Sequence, residues 1–518
     1  MAPARQHGWR LDPTPALRAY ARLRRARLAR LDPAAVQARL LRRLLRRAAG
    51  TRFGRAHGFD AIATPAEYAA RVPLRGFDAF WQEWWQPSFP QLEDVSWPGR
   101  IGVFALTSGT ATGRSKHIPY TPQMRRAAAL GFFDLLAFHL AARPASRVLG
   151  GAALGLVGPT GLESRAPGVE AGAVSAITAA MAPRFLRGRL LPPPEIAAIS
   201  DWGEKIRRLA PVALGADLRF LGGSPNWSLL FLREVARQAG GSTLADWFPR
   251  LELIAHGGVD FAPYRDSFAA LLAGSRAETR EAYSASEGFF AYADRGDGEG
   301  LRLLLDGGIF YEFVPLEELG RPQPRRDWIG TARTGIDYAM AISTAAGLWA
   351  YLPGDAVRFV TLDPPRILVR GRTSSSVSMI GEHLAEPDLV AAVAAAARAA
   401  GRSVTDFTVS GILQGGAGPR RHLVLAELDR LPGPAEAEAF AAALDRALIV
   451  RNDDYAELRE NGYALAAPRV RFVPPGGFAR WLGARAGGQA KVPRVISDPA
   501  ILAGLERALG QMETEGGT

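Results

Sequence analysis

The sequence predicts an α/β fold in two unequal parts: a large layered α/β N-terminal domain over residues 1–371 and a small α/β C-terminal domain over residues 372–518. Three observations carry this expectation. From residue 100 to 370, short apolar strands alternate with amphipathic helices, the pattern of a layered α/β domain. At Arg370-Gly371-Arg372 that pattern gives way to a hydroxyl-rich TSSSVS run. Beyond it come an alanine-rich helix, strands TDFTVSGIL and RHLVLAEL, a helix from Ala435 to Val450 and a strand RVRFVP, a compact β-β-α-β unit.

Composition narrows the class. The 518 residues are 48% hydrophobic with a mean hydropathy of −0.02, a globular chain long enough for two or more domains. No apolar run reaches the roughly 18–20 residues of a membrane span. The nearest, Ala127 to Ala142, is interrupted by Asp134 and His139 and reads as a core helix. The N-terminus has arginines but no apolar stretch of a secretion signal, and the absence of cysteine excludes disulfides and thiolate metal sites, so a cytoplasmic enzyme is expected. The net charge is +12, yet basic residues recur along the whole chain and no RNA- or DNA-binding signature appears, so no nucleic-acid partner is expected. Only Lys116, Lys205 and Lys491 are lysines, against 60 arginines; a lysine kept in such a chain marks a place where a compact ammonium is required.

Taken in order, Ala16 to Gly50 reads as two basic helices, with Asp32-Pro33 as cap and first turn of the second and Leu40, Leu41, Leu44 and Leu45 on one face. Such a pair suits an anionic membrane; a docked helix with a solvated arginine face is the simpler expectation. The stretch Leu106 to Thr121, LTSGTATGRSKHIPYT, lies between a strand IGVFAL and an extended IPYT, so it joins two strands, and Thr121-Pro122 opens a helix. Its glycines, hydroxyls and Lys116 suit phosphate oxygens. It is not a Walker A loop, because three residues separate Gly109 from Gly113 and Lys116 comes three later.

Further along, a helix from Trp227 to Gln238, a strand LELIAHGG and a strand from Ile309 to Pro315 continue the alternation. His256-Gly257-Gly258 has the look of a lipase oxyanion loop, but no G-x-S-x-G occurs, so a close backbone approach beside a ligand is expected instead. Tyr283-Ser284-Ala285-Ser286-Glu287 ends a strand-like ETREAY segment, where α/β sheets place ligand groups. Tyr351-Leu352-Pro353-Gly354-Asp355 sets a carboxylate in a turn, and Gly487-Gly488-Gln489-Ala490-Lys491-Val492-Pro493-Arg494 describes a mobile, extended loop able to reach outward.

These motifs carry a resemblance. Thr107-Ser108-Gly109-Thr110-Ala111-Thr112-Gly113-Arg114-Ser115-Lys116 resembles the phosphate loop of the adenylate-forming superfamily, one residue longer than usual, and in that is similar to the auxin-responsive acyl-acid amido synthetases and their bacterial relatives. The segment TRFGRAHGFDAIATPAEYAARVPL extends the likeness almost to the N-terminus. Tyr283 to Glu287 resembles the superfamily's Tyr-Gly-x-Thr-Glu, whose Glu holds Mg²⁺, with Ser284 in place of Gly. Tyr351 to Asp355 is similar to Tyr-Arg-x-Gly-Asp, whose Asp accepts the ribose hydroxyls, with Leu352 in place of Arg. The step from Gly371-Arg372 to Gly381-Glu382 resembles the interdomain hinge, and Gln489 to Arg494 resembles the Gln-x-Lys-x-Pro-Arg ending.

The resemblance implies an adenylate-forming architecture with a mobile small domain, ATP and Mg²⁺ as cofactors, and a ligase that adenylates a carboxylic acid and transfers the acyl group to the amine of an amino acid. It implies ATP binding by Thr107, Ser108, Gly109, Thr110, Thr112, Gly113, Lys116, Tyr283, Ser286, Asp355 and Arg372, metal binding by Glu287, and catalysis by Lys491, Lys116 and Glu287. Phe220, Trp227, His256, Gly257 and Tyr311 are candidates for an acyl pocket, although aromatics at such spacings are more often core. Two rivals stand beside this: a thioester-forming acyl-CoA ligase, disfavoured by the longer loop, and a non-catalytic nucleotide-binding scaffold, disfavoured by the intact Lys116, Glu287, Asp355 and Lys491.

Overall fold

Beta-branched and aromatic runs bounded by glycines form the spine of the molecule, a single sheet of twelve strands. The structure is a computed structural model that describes residues 12–106, 116–156, 161–180, 188–199, 201–296, 298–373, 376–377, 384–412, 421–452, 455–456, 459, 465–483, 491–496 and 498–515. In spatial order the sheet runs Asp327–Trp328, Ile309–Pro315, Asp337–Thr344, Asp355–Leu362, Pro365–Arg372, Leu301–Leu303, Gly288–Tyr292, Glu278–Ala285, Leu253–His256, Leu218–Gly223, Ala152–Gly155 and Leu190–Leu191. Its first eight strands pair antiparallel, and from Glu278–Ala285 onward the pairing is parallel, with His256 opposite Glu281 and Gly223 opposite His256. Strand Glu278–Ala285 is therefore the point where the sheet changes character. The strand Ile309–Pro315 is buried at every residue, as a central strand covered on both faces must be.

A smaller four-stranded sheet holds the ends of the stretch expected to bind phosphate. Strands Val103–Leu106 and His117–Pro119 pair antiparallel with Leu106 opposite His117, so the loop between them joins two strands as expected. Thr121 caps the next helix, Pro122–Ala142, by accepting from the Met124 N–H, and Asp32 caps Pro33–Ala48 by accepting from Ala35. The apolar stripe of the latter, Leu40, Leu41, Leu44 and Leu45, is buried in the main core with Phe53, Trp85 and Trp349. Helix Thr14–Ala29 is fastened by Arg24, whose guanidinium lies between Asp134 at 2.8 Å and Asp306 at 2.7 Å.

The C-terminal unit has its own core. Strands Val404–Ile412, Arg421–Leu428 and Arg469–Val473 form one sheet, the first pair antiparallel and the second parallel across helix Pro434–Arg451, the anticipated β-β-α-β order. Helix Glu386–Ala399 packs against it through Leu389, Val390 and Val393, and helix Pro499–Glu515 closes the other side. Gly371, expected at the boundary, is the penultimate residue of the strand Pro365–Arg372, with a positive φ of 98°.

Candidate active site

In parallel sheets the carboxyl ends of the strands gather loop residues, and the parallel strands Leu253–His256 and Glu278–Ala285 do this here. Strand Glu278–Ala285 and strand Gly288–Tyr292 form a hairpin whose two-residue turn is Ser286-Glu287. That turn sets Glu287 into a buried position, where its carboxylate accepts a hydrogen bond from the Tyr351 hydroxyl at 3.2 Å. Burial raises its pKa and the neighbouring Asp355 adds to this, while Lys116 pulls it back down. Ser286 donates through Oγ to the Leu106 carbonyl at 3.1 Å, so this turn is tied to the mouth of the loop 107–115.

Lys116 completes that mouth. Its ammonium lies over the Phe77 ring, 5.3 Å from the centroid, and partial burial lowers its pKa against the opposing attraction of Glu287. Thr107, Ser108, Gly109, Thr110, Thr112 and Gly113 lie outside the described residues.

Asp355 begins its strand with both oxygens engaged. The Tyr283 hydroxyl donates to Oδ2 at 2.6 Å and Arg372 donates to Oδ1 at 2.6 Å, a second guanidinium nitrogen reaching the Pro353 carbonyl at 2.7 Å. Gly354 makes this possible: its φ is +91°, and a Cβ there would stand 2.9 Å from the Arg372 guanidinium. Leu352 offers no guanidinium here; the one beside this aspartate is Arg372, which comes from the next strand. Each oxygen keeps a lone pair after these bonds, so the carboxylate can still accept from a ligand hydroxyl.

From the C-terminal unit, Lys491 donates to the Gly258 carbonyl at 2.8 Å. Its side chain is solvent-exposed by surface area, but it stands in a crevice between both units. That crowding lowers its pKa, with Asp355 opposing and Arg372 and Arg494 assisting. The glycines of His256-Gly257-Gly258 are needed for two approaches: a Cβ on Gly257 would meet the Ala282 carbonyl at 2.1 Å, and one on Gly258, at φ +85°, would stand 2.6 Å from the Lys491 ammonium. The close approach here is made toward a neighbouring strand and a lysine of this chain.

Three residues on, Arg494 fixes the Lys491 segment, and sequence reasoning assigned it no role. Buried, it pairs with Asp406, donates to the Phe407 carbonyl at 2.8 Å and crosses to the large domain at the Tyr264 hydroxyl, 3.2 Å away. The signal was present in the spacing Lys-x-x-Arg. Tyr351, which braces Glu287, was likewise quoted in a motif but given no task.

The acyl-pocket candidates separate. His256 is buried and stacked on Phe261 at 3.9 Å, and burial pulls its pKa down to about 3. Phe220 meets Phe132 edge-on at 5.6 Å beside Gly222, and Trp227, near the start of helix Pro225–Ala239, lies tilted against Trp202 at 4.5 Å. Tyr311 is a correction: it has no exposed surface, its hydroxyl donates to the Phe290 and Leu304 carbonyls and its N–H to Gln37, so it is a core residue. Aromatic burial satisfied by backbone carbonyls cannot be told from pocket lining by spacing alone.

No group of three or more histidine, aspartate or glutamate side chains gathers among the described residues to enclose a metal. A single carboxylate such as Glu287 fits Mg²⁺, which is held by one or two carboxylates with substrate phosphates and water.

No curated protein sequence matches the chain. Among solved structures it is similar to GH3.15 acyl acid amido synthetase, at 17% identity over 95% of this chain and 96% of that one with a TM-score of 0.77. A second GH3.15 structure, in complex with 2,4-DB, matches at 17% identity over 98% of both chains with a TM-score of 0.76. The 2-hydroxyisobutyryl-CoA ligase in a postadenylation state with 2-HIB-AMP matches at 15% identity over 92% of this chain and 91% of that one, TM-score 0.58. These likenesses establish the fold, a large N-terminal and a small C-terminal domain as in adenylate-forming ligases. Models of the GH3 family N-terminal, central and C-terminal domains match residues 22–214, 302–372 and 387–500 in turn, and the chain belongs to the GH3 family.

Proposed function

We propose that the protein is an ATP- and Mg²⁺-dependent ligase that adenylates a carboxylic acid and then joins the acyl group to the amine of an amino acid. The observation that carries this is a chain of neighbours drawn from four distant motifs, Lys116 beside Glu287, Glu287 beside Asp355 and Asp355 beside Lys491. A carboxylate does not condense with an amine at neutral pH. In the first step its oxygen attacks the α-phosphorus of ATP, forming an acyl-adenylate as the bond to pyrophosphate breaks. In the second, the amine nitrogen attacks the acyl carbon, the bond to AMP breaks and the ammonium proton leaves.

Neither step needs a protein nucleophile, so the work is positioning and charge neutralisation. In this reading Asp355, braced by Tyr283 and Arg372, takes the ribose hydroxyls. Lys116 and the loop 107–115 face the phosphates, and Lys491 sets an ammonium against the charge that develops during transfer. Mg²⁺ held at Glu287 supplies further neutralisation of phosphate charge. The family membership and the structure of a relative bound to 2,4-DB support an organic-acid substrate.

The test is carboxylate-dependent exchange of labelled pyrophosphate into ATP across a panel of aryl and alkyl acids, followed by mixed amino acids and mass spectrometry for an N-acyl amino acid. ATP at 100 times its dissociation constant should also add about 2.7 kcal/mol of stability. Silence across the panel, with no ATP-induced rise in melting temperature, sinks the reading. An acyl-CoA product with no amide moves it to the thioester branch.

A further inference from the structure

The first 60 residues hold 15 arginines and three aspartates, which equals the whole net charge of +12; beyond them 48 basic residues balance 48 acidic ones. The excess is therefore local, although arginines recur everywhere. On other helices some exposed arginines pair with a carboxylate one turn away, as Arg208 does with Glu204 at 3.5 Å and Arg237 with Glu234 at 2.7 Å. On helix Pro33–Ala48, Arg39, Arg42, Arg43, Arg46 and Arg47 are all exposed, and they form no ion pair among the described residues. Spaced by three and four, they share the face turned away from the buried leucines, where like charges repel. Arg46 and Arg47 in the last turn complement the helix dipole; Arg39, Arg42 and Arg43 do not.

The preceding helix, Thr14–Ala29, adds exposed Arg22 and Arg25 and, between them, Leu23 with 75% of its surface exposed. This is no floating tail. Arg24 is locked between Asp134 and Asp306, and Gln37 donates to the Leu305 and Ile309 carbonyls, so each helix is held rigidly. We propose that the two helices together dock the protein on an anionic lipid bilayer, guanidinium forks taking the headgroup phosphodiesters while Leu23 enters the acyl boundary. Leu23 decides between polyanions: nucleic-acid phosphates offer it nothing, a bilayer does. No described helix is long and apolar enough to cross a membrane, so the contact is peripheral.

The experiment is co-sedimentation of the full chain with vesicles of phosphatidylcholine, with and without phosphatidylglycerol. Retention is expected only on the anionic vesicles and should fall with added salt. The triple change Arg39→Gln, Arg42→Gln, Arg43→Gln should weaken it roughly 100-fold, at roughly fivefold per arginine. Leu23→Ser, which leaves every charge in place, should weaken it roughly threefold. Unchanged melting temperatures establish that both variants are folded. Equal retention on neutral vesicles, no retention on either, or binding to duplex DNA that exceeds vesicle binding at the same salt and ignores Leu23→Ser, each overturns the proposal.

Discussion

The two sides of the candidate site are held by different physics. On one side, Tyr283, Glu287 and Asp355 sit at the ends of strands of the large sheet, so their spacing follows from strand register and is braced by hydroxyl and guanidinium donors. On the other, Lys491 stands outside any strand of its sheet and gains its place through contacts across the domain seam. Its segment is joined to strand Val404–Ile412 by the Val409 N–H to Arg494 carbonyl bond at 2.9 Å. That strand is in turn gripped from the large domain, by Asn226 on Asp406 at 3.3 Å and Arg233 on Thr405 at 3.0 Å. A group fixed by register can be lost only with the sheet, whereas one fixed by a few side chains can be released while both cores stay folded.

The most damaging test of that contrast is Arg494→Met. The guanidinium meets Asp406, the Phe407 carbonyl and ring and the Tyr264 hydroxyl in a space closed to solvent. Removing it strands a buried carboxylate, for which about 3–5 kcal/mol is expected. The loss should fall on the C-terminal unit and the seam. Hydrogen exchange should accelerate in residues 404–412 and leave 278–285 protected. Equal acceleration in both strands would show that the two regions form one cooperative unit.

Next in size is the kinetic contrast, which rests on the proposed adenylation. Lys491→Ala should lower turnover by 10²–10³, roughly 2.7–4 kcal/mol, with ATP affinity little changed, because the ammonium acts mainly on charge developed during transfer. Asp355→Asn should do the reverse and weaken ATP binding first. Lys491→Arg should also be impaired, since the ammonium already stands where a Cβ on Gly258 would come within 2.6 Å, too tight for a broader guanidinium. Exchange kinetics and calorimetric ATP titration separate these. Free substitution by Arg would end the inference drawn from the scarcity of lysine.

Much of the first side was legible in the sequence because its signals are local. Proline after Thr121 and after Asp32 marked two helix starts, and both caps form. Tyr283 and Glu287 share a motif because a two-residue hairpin turn sets them close. The long-range contacts of the site were legible only as a list of residues. That Arg372 braces Asp355, that Arg494 reaches Tyr264, and that Gly258 leaves room for Lys491 are contacts between residues 17 to 233 positions apart, set by packing. Tyr311 failed for the matching reason: a strand buried on both faces leaves no period to distinguish core from pocket.

The smallest expected effect is a pH dependence confined to the second side. Glu427, on strand Arg421–Leu428, is 1% exposed and accepts from the Gly476 and Phe478 N–H groups at 2.8 and 3.0 Å. Burial pushes its pKa up from 4.5 to about 7; the two N–H groups and Arg233 oppose this and Asp406 reinforces it. A carboxyl whose folded pKa is raised binds its proton more tightly when folded. Its stabilisation is therefore complete below about pH 4.5 and is lost as pH rises through about 7, by something on the order of 2–3 kcal/mol. Urea unfolding of the C-terminal unit at about pH 5 and about pH 8 should show the decline, and Glu427→Gln should flatten it, because an amide holds no titrating proton. The transition of the large domain should be indifferent to this substitution. A slope that survives in Glu427→Gln would assign the titration elsewhere, and a matching change in the large domain would mean that protonation at Glu427 is felt across the seam through Asp406 and Arg233.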